Sequence, residues 1–399
     1  MRILFLSGWF PEPPDNGIKR RIHNQLRLLG RRHRVTLVSF SDGEPTLAQR
    51  ERLTTFCAEV HAVPVKAFDP HRWSARLASL SWRPRSLVDT FSPAMAEVIR
   101  DLVSAGGYDV VVTSEIPLSN YARYFDGIPA LLDTVELGIL YDQFARASTA
   151  WARWRYRLTW EKWRLYLRRV LGAFRVCTVV SQRERELLEL AAPGGPTIEV
   201  VPNCLDLAEY DLATGSREPN SLIFTGAFSY AVNYDAMSWF VRDIYPLIQA
   251  RVPEVSLTIT GDPAGRALPA TRNLRLAGHV ADIRPLVGAS EVSLAPLRTG
   301  AGSRVKILEA MALGTPVVST SKGAEGLDVR PGEHLLIADE PRAYAEEVVR
   351  LLGDRLLRDR LARNARRLME ERYDWARVGP RFEELVLRVA AARRGEGAR

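Results

Sequence analysis

Arg304, Lys306 and Glu309 share one short stretch, PLRTGAGSRVKILEAMALGTPVVSTSKGAE over residues 296–325. A strand is expected to end near Pro296, Gly300 and Gly302 to make the turn, and Ser303 to cap a helix running to Leu313. Gly314 then stops the helix and a second strand follows. Such a turn aims free backbone N–H groups and the positive end of the helix at whatever lies above the sheet. Arg304 and Lys306, in the first turn, would be unfavourable there without an anion, and a diphosphate supplies one. Only five of the 55 basic residues are lysine, so a lysine here points to a compact charge. Glu309, one turn beyond Lys306, is a carboxylate that can accept hydrogen bonds from two neighbouring hydroxyls of a ribose. The alternative is an amphipathic helix with a solvated Arg/Lys/Glu face.

Weaker signals lie elsewhere. Pro11 to Gly17 forms a Pro/Gly loop that enters a helix, and Gly17 could bring backbone amides close to a phosphate or sugar; an ordinary turn has the same composition. Asp133 and Glu136, in DTVE after an apolar run, are candidate contacts for an acceptor or the transferred sugar, or else helix-capping carboxylates. Cys57, Cys177 and Cys204 are scattered, with no CxxC, which argues against a disulfide scaffold or a structural zinc site. No metal site is expected.

The elements that must position these residues alternate in type. Arg2–Ser7, Arg34–Phe40, Tyr108–Thr113, Pro129–Asp133 and Cys177–Ser181 read as strands separated by helical stretches such as Lys19–Leu29. After turn formers across 201–215 the pattern restarts. Ser221–Thr225, Ser256–Thr260, Glu291–Ala295, Pro316–Thr320 and His334–Ile337 alternate with helices near Ala236–Ala250, Ser303–Leu313 and Arg342–Leu352. This is the α/β pattern of two doubly wound parallel sheets. The expected domains are 1–205 and 206–376, facing a central cleft, with a helix over about 377–395 packing back on the first. Ligands of such sheets sit beyond the carboxyl ends of the strands. A dinucleotide oxidoreductase would want GxGxxG after the first strand, and the chain lacks it there.

At these residues the chain closely resembles the family-4 glycosyltransferases over almost its whole length. The opening loop is similar to a PPxxGG turn, with Ile18 where a second glycine is usual. VVPNCLD (200–206), GHVADIRPLVGASEVSLAPL (278–297) and LEAMALGTPVV (308–318) resemble further family segments. The resemblance implies a GT-B fold of two Rossmann-like domains and transfer from a UDP- or GDP-type sugar, with retention of configuration and no metal or other cofactor. It assigns the donor ribose to Glu309, the nucleotide base to the backbone around Val280, and the donor phosphates to the opening loop at Gly17; Gly302, Ser303 and Gly226 are further candidates for donor binding. Arg304 and Lys306 would stabilise the leaving diphosphate. Two departures stand out. Ala301 occupies the position of the family's other glutamate, and the Arg and Lys usual after the first strand of the second domain are replaced in AFSYAVNYDA. Arg304 and Lys306 are expected to take over phosphate neutralisation. Two alternatives remain open: an epimerase of the same fold, and an inactive nucleotide-sugar-binding homologue.

The acceptor is expected to be a glycan or lipid-linked glycan, with nucleic acid excluded for want of a fold-level signature. A net charge of +8 favours anionic partners generally. Trp151–Val170 holds four of the nine tryptophans among arginines. Trp151, Trp154, Leu158 and Leu165 form one helical stripe; Trp160, Trp163 and Leu167 form another. Such a helix can lie on an anionic membrane or pack into the core. The short N-terminal apolar run, ended by Pro11, reads as a strand rather than a signal peptide. The expected location is cytoplasmic, or peripheral on the inner membrane face.

Overall fold

Short apolar runs become strands because burying both faces of a parallel sheet demands continuous rather than alternating hydrophobicity. In a computed structural model the described residues are 1–145, 149–210, 217–300, 302 and 304–396, with side chains to residue 391. The chain divides into two compact units, Met1–Asn203 with the segment from Gly379 on, and Cys204–Val378.

The first unit holds seven parallel strands: β1 (Arg2–Ser7), β2 (Arg34–Ser41), β3 (Glu59–Pro64), β4 (Val110–Ser114), β5 (Ala130–Asp133), β6 (Val176–Val179) and β7 (Thr197–Val200). Their order is β3-β2-β1-β4-β5-β6-β7, so the winding reverses between β1 and β4. Ile3 pairs with Val35 on one side and Val110 on the other. Leu4, Leu6, Val111, Leu132 and Cys177 lie in one buried cluster with Trp160, Trp163 and Leu167 from a helix over Ala150–Val170.

The second unit holds β8 (Glu218–Thr225), β9 (Ser256–Thr260), β10 (Leu274–Gly278), β11 (Ser290–Ala295), β12 (Val317–Ser319) and β13 (Leu336–Ile337). The order is β10-β9-β8-β11-β12-β13, reversing between β8 and β11. One face is packed by Phe224, Met237, Phe240 and Tyr344. Against the other lie Ile307, Leu308, Met311 and Leu313 of LEAMAL.

Strands β3, β7 and β10 were not expected from the sequence, and all three are edge strands. An edge strand is open on one side, and EVHAVP, TIEV and LRLAG are accordingly half-exposed and lack the continuous apolar signal. The single helix expected over Ala236–Ala250 is instead Ala231–Trp239, a π segment Phe240–Ile244, and Tyr245–Arg251. Pro246 stands in the first turn of the last piece and has no N–H to continue the ladder. A helix over Trp375–Glu396 contains Pro380; within the first unit, its Glu383 meets His33 at 3.3 Å and its Arg388 meets Glu199 at 2.9 Å.

Candidate active site

The glycine-rich turn, the start of a helix over Val305–Ala312 and the start of Ala231–Trp239 converge at the carboxyl ends of β8 and β11, where the order of the second sheet reverses. Crevices at such reversals are where open α/β sheets bind ligands. The helix starts later than its sequence suggests. Its N-cap is Arg304, in the left-handed conformation at φ 49° and ψ 29°, so Arg304 stands before the first turn rather than in it. Ser303, the expected cap, and Ala301 lie outside the described residues. Gly302, at φ 114°, adopts a backbone that side chains other than glycine rarely tolerate. Arg304 is 8% exposed, and its Nη2 donates to the carbonyls of Gly300 and Lys322 at 2.9 Å each. It therefore braces the turn as well as charging it.

Lys306, the second helical residue, lies with its Nζ 3.8 Å from the centre of the Phe224 ring. It donates to Asn233 Oδ1 at 2.9 Å. Burial pushes the amine down to about 7, with the Arg304 charge adding to the effect and Glu309 opposing it. A cation so placed lacks water, and an anion would restore its charged state. Gly226, the residue after β8, makes this arrangement fit. At φ 145° it packs against Asn233, whose side-chain nitrogen would lie 2.6 Å from a Cβ at that position. Asn233 is further held by donating to Ala227 O at 2.9 Å.

Glu309 is 5% exposed and accepts from Tyr210 Oη at 3.1 Å. Tyr210 is itself fixed, since Arg366 donates to its carbonyl at 2.8 Å. Val280, half-buried, follows Gly278 at the carboxyl end of edge strand β10.

In the first unit the expected residues separate. Gly17 is the first residue of the helix Gly17–Gly30, behind Asn16, whose side chain accepts from Lys19 N. Asp133, a candidate contact, lies in the interior of the unit. It is 0% exposed, and Arg21 grips it through Nε at 2.8 Å and Nη2 at 2.7 Å, while Gln25, Thr134 and Thr178 also donate to it. Burial alone would raise this carboxyl; the Arg21 charge and the donated hydrogen bonds instead hold it at about 2. Arg21 also reaches the carbonyls of Val201 and Pro202 at 3.0 and 3.2 Å, tying β5 to the end of β7. Asp133 is thus the hub of a buried network. Glu136, three residues on, is half-buried.

The carboxylate that occupies the reversal point between β1 and β4 is Glu115, directly after β4, with φ 63°. The Trp9 indole donates to its Oε1 at 3.1 Å. Gly8 leaves room for it, since a Cβ there would lie 2.2 Å from Oε2. Burial raises the Glu115 carboxyl to about 7 against the Trp9 hydrogen bond, helped by the charges of Glu136 and Asp133. Among the described residues no group of three or more His, Cys, Asp or Glu could hold a metal ion.

Two family descriptions match the chain, a glycosyl transferase 4-like domain over residues 16–204 and glycosyl transferases group 1 over residues 219–354. The chain belongs to the family-4-type glycosyltransferases. Its GT-B fold is shared with sucrose-phosphate synthase from Thermosynechococcus elongatus, at TM-score 0.68 and 16% identity over 98% of this chain and 100% of that one. It is shared too with Anabaena Alr3699/HepE in complex with UDP and glucose, at TM-score 0.64 and 17% identity over 96% and 99%. In sequence the chain is 28% identical over 228 residues to a phosphatidyl-myo-inositol mannosyltransferase of Mycobacterium tuberculosis, covering 53% of this chain and 58% of that one. The chain spans about half the length of the curated relatives it matches.

Two residues in each unit were not expected from the sequence: Trp9 and Glu115 in the first, Tyr210 and Asn233 in the second. Glu115 carried a usable signal, because it follows VVVTS at a strand's carboxyl end. Its raised carboxyl gives a substrate-free prediction. A folded-state value of about 7 lies above the unfolded one, so the protonated group stabilises the fold at low pH, and that contribution is lost as pH rises through 7. Glu115→Gln should therefore gain melting temperature relative to the parent between pH 5 and pH 8. A constant difference across that range would contradict the assignment.

Proposed function

We propose that this chain is a retaining glycosyltransferase that moves a sugar from a UDP- or GDP-type donor to a glycan or lipid-linked acceptor, in cell-surface or exopolysaccharide synthesis. The observation that carries this reading is the desolvated amine of Lys306, over Phe224 at the positive end of a helix and beside Arg304. A nucleotide diphosphate is an anion that both cations and the helix end would stabilise. Glu309, held by Tyr210, stands deeper along the same helix, where a ribose diol would offer it two donors. The family's relatives support the donor class: the M. tuberculosis protein is named a mannosyltransferase, and the Anabaena structure holds UDP and glucose.

The chemistry asked of the protein is then electrostatic. The bond from the sugar to the diphosphate oxygen breaks, and the acceptor oxygen bonds to the same face of the sugar. The acceptor's proton passes to the leaving phosphate. Charge grows on the diphosphate as the bond lengthens, and Lys306 and Arg304 stabilise it without reorganising. No metal is required when protein cations take this part.

Incubation with a panel of nucleotide sugars and acceptors tests the reading, with acceptor-dependent release of UDP or GDP as the expected result. An isomerised donor, or donor binding without turnover on any acceptor, would refute it. Glu309→Ala should weaken UDP or GDP binding about 10- to 100-fold, as expected for losing charge-assisted hydrogen bonds. Tyr210→Phe, which only loosens the carboxylate, should cost about fivefold. Calorimetric titration reads both, and unchanged affinity in Glu309→Ala would remove the ribose contact from the proposal.

A further inference from the structure

The helix Ala150–Val170 divides its aromatic residues between two opposite faces. Trp160, Trp163, Tyr166 and Leu167 are buried in the first unit's core. Trp151 and Trp154 are 66% and 64% exposed, and Leu158 and Leu165 are exposed with them. At roughly 100° per residue these four fall within about 60° of one another, on the side away from the core. The sequence signals both stripes but not which of them faces out.

A second element extends the outward stripe. The short helix Trp73–Leu77 and the 3-10 turn Ala78–Leu80 leave Trp73 72% and Leu80 88% exposed, with Leu77 and Trp82 exposed beside them. This segment is fastened to the long helix at two points. Lys162 Nζ donates to Ser79 O at 2.5 Å, and the Arg169 guanidinium lies 4.2 Å from the centre of the Trp82 ring. Lys162 and Arg169 stand on the flank of the exposed stripe, so the two sets of apolar side chains adjoin.

The charge around them is one-sided. Residues 72–85 and 150–170 carry eleven basic side chains and a single acidic one, Glu161, which Arg164 pairs at 2.9 Å. Tryptophan favours the boundary between water and hydrocarbon, and arginines nearby are drawn to an anionic surface. Exposed apolar patches of this kind are uncommon on surfaces that meet only water. A symmetric contact with a second copy would press the arginines together. A nucleic acid would match the charge and leave the tryptophans and leucines in water.

We propose that the outward stripe of Ala150–Val170 and the Trp73–Trp82 segment form one docking surface for an anionic phospholipid bilayer. The tryptophans and leucines enter the headgroup boundary and the arginines meet lipid phosphates. No described helix is long and apolar enough to cross a membrane, so the attachment is peripheral and reversible by salt. The inference is independent of the transferase reading, since it uses none of the nucleotide-site residues.

Flotation of the purified chain with phosphatidylcholine vesicles, with and without 30% phosphatidylglycerol, tests it. Binding to the anionic vesicles should exceed binding to neutral ones by about 10-fold or more and fall steeply between 0.05 and 0.5 M salt, as screening shortens the reach of the arginines. Trp154→Glu and Leu80→Glu should each cut vesicle binding about 10-fold. Both residues are exposed, so circular dichroism and UDP or GDP affinity should match the parent. Retention of vesicle binding in both variants would overturn the proposal, as would equal binding to neutral vesicles or binding to neither. A change of oligomeric state in the variants, or binding of duplex nucleic acid in place of vesicles, would reassign the surface.

Discussion

Lys306→Met should lower the affinity for UDP or GDP by about 10- to 150-fold at pH 7, the worth of one charge-assisted hydrogen bond to phosphate at roughly 1.5–3 kcal/mol. The variant also separates function from stability. The Lys306 amine sits near 7 in the folded chain, well below its value of about 10.4 in an unfolded one. Between those values the unfolded state binds more protons, so stability rises with pH across that window. At pH 7 and below, keeping the amine charged works against the fold. Methionine removes this burden, so its melting temperature relative to the parent should climb as pH falls from 10 to 7. Nucleotide affinity should move the other way, the parent losing affinity from pH 7 to 8.5 more steeply than the variant. Calorimetric titration and thermal melts at matched pH measure both. Equal nucleotide affinity in parent and variant would dismiss the phosphate cradle.

Asp133→Ala should have the largest effect on stability. Removing the carboxylate strands Arg21 in the interior, and breaking one side of a buried pair costs about 3–5 kcal/mol. For a unit of this size that is a fall of roughly 6–20 °C in melting temperature. Restoring an apolar match in Arg21→Met with Asp133→Leu should recover part of the loss, because both charges then leave together. The pH dependence carries its own sign. The folded carboxyl lies near 2, below its unfolded value of about 3.9, so its contribution is present above pH 4 and disappears as pH falls towards 2. A melting temperature within about 2 °C of the parent would mean that the network contributes little.

These variants act on residues that the sequence exposes unequally. Lys306 and Glu309 are visible because a glycine turn, a helix and a following strand leave local marks. Asp133 is equally visible as a strand-end carboxylate, yet its neighbours turn it into a structural hub: Arg21 lies 112 residues away. Glu115 is the reverse case. Its one local mark is its place at the end of VVVTS; burial in the fold raises its carboxyl, against a hydrogen bond from Trp9, 106 residues distant. Arg304 shows a third kind of gap. Its identity was legible, but its left-handed backbone and its grip on Gly300 and Lys322 follow from how the turn closes.

By itself the sequence determined the class of fold, the restart of the pattern near residue 205, the central strands of both sheets and the helix that carries Lys306 and Glu309. Each of these rests on periodicity or turn chemistry within a dozen or so neighbours. The tertiary structure alone decided the edge strands β3, β7 and β10, the role of Asp133, the company of Lys306 and Glu115, and which tryptophan stripe meets solvent. Those properties are set by desolvation and charge summed over residues far apart in the chain, and only folding brings such residues within reach of one another.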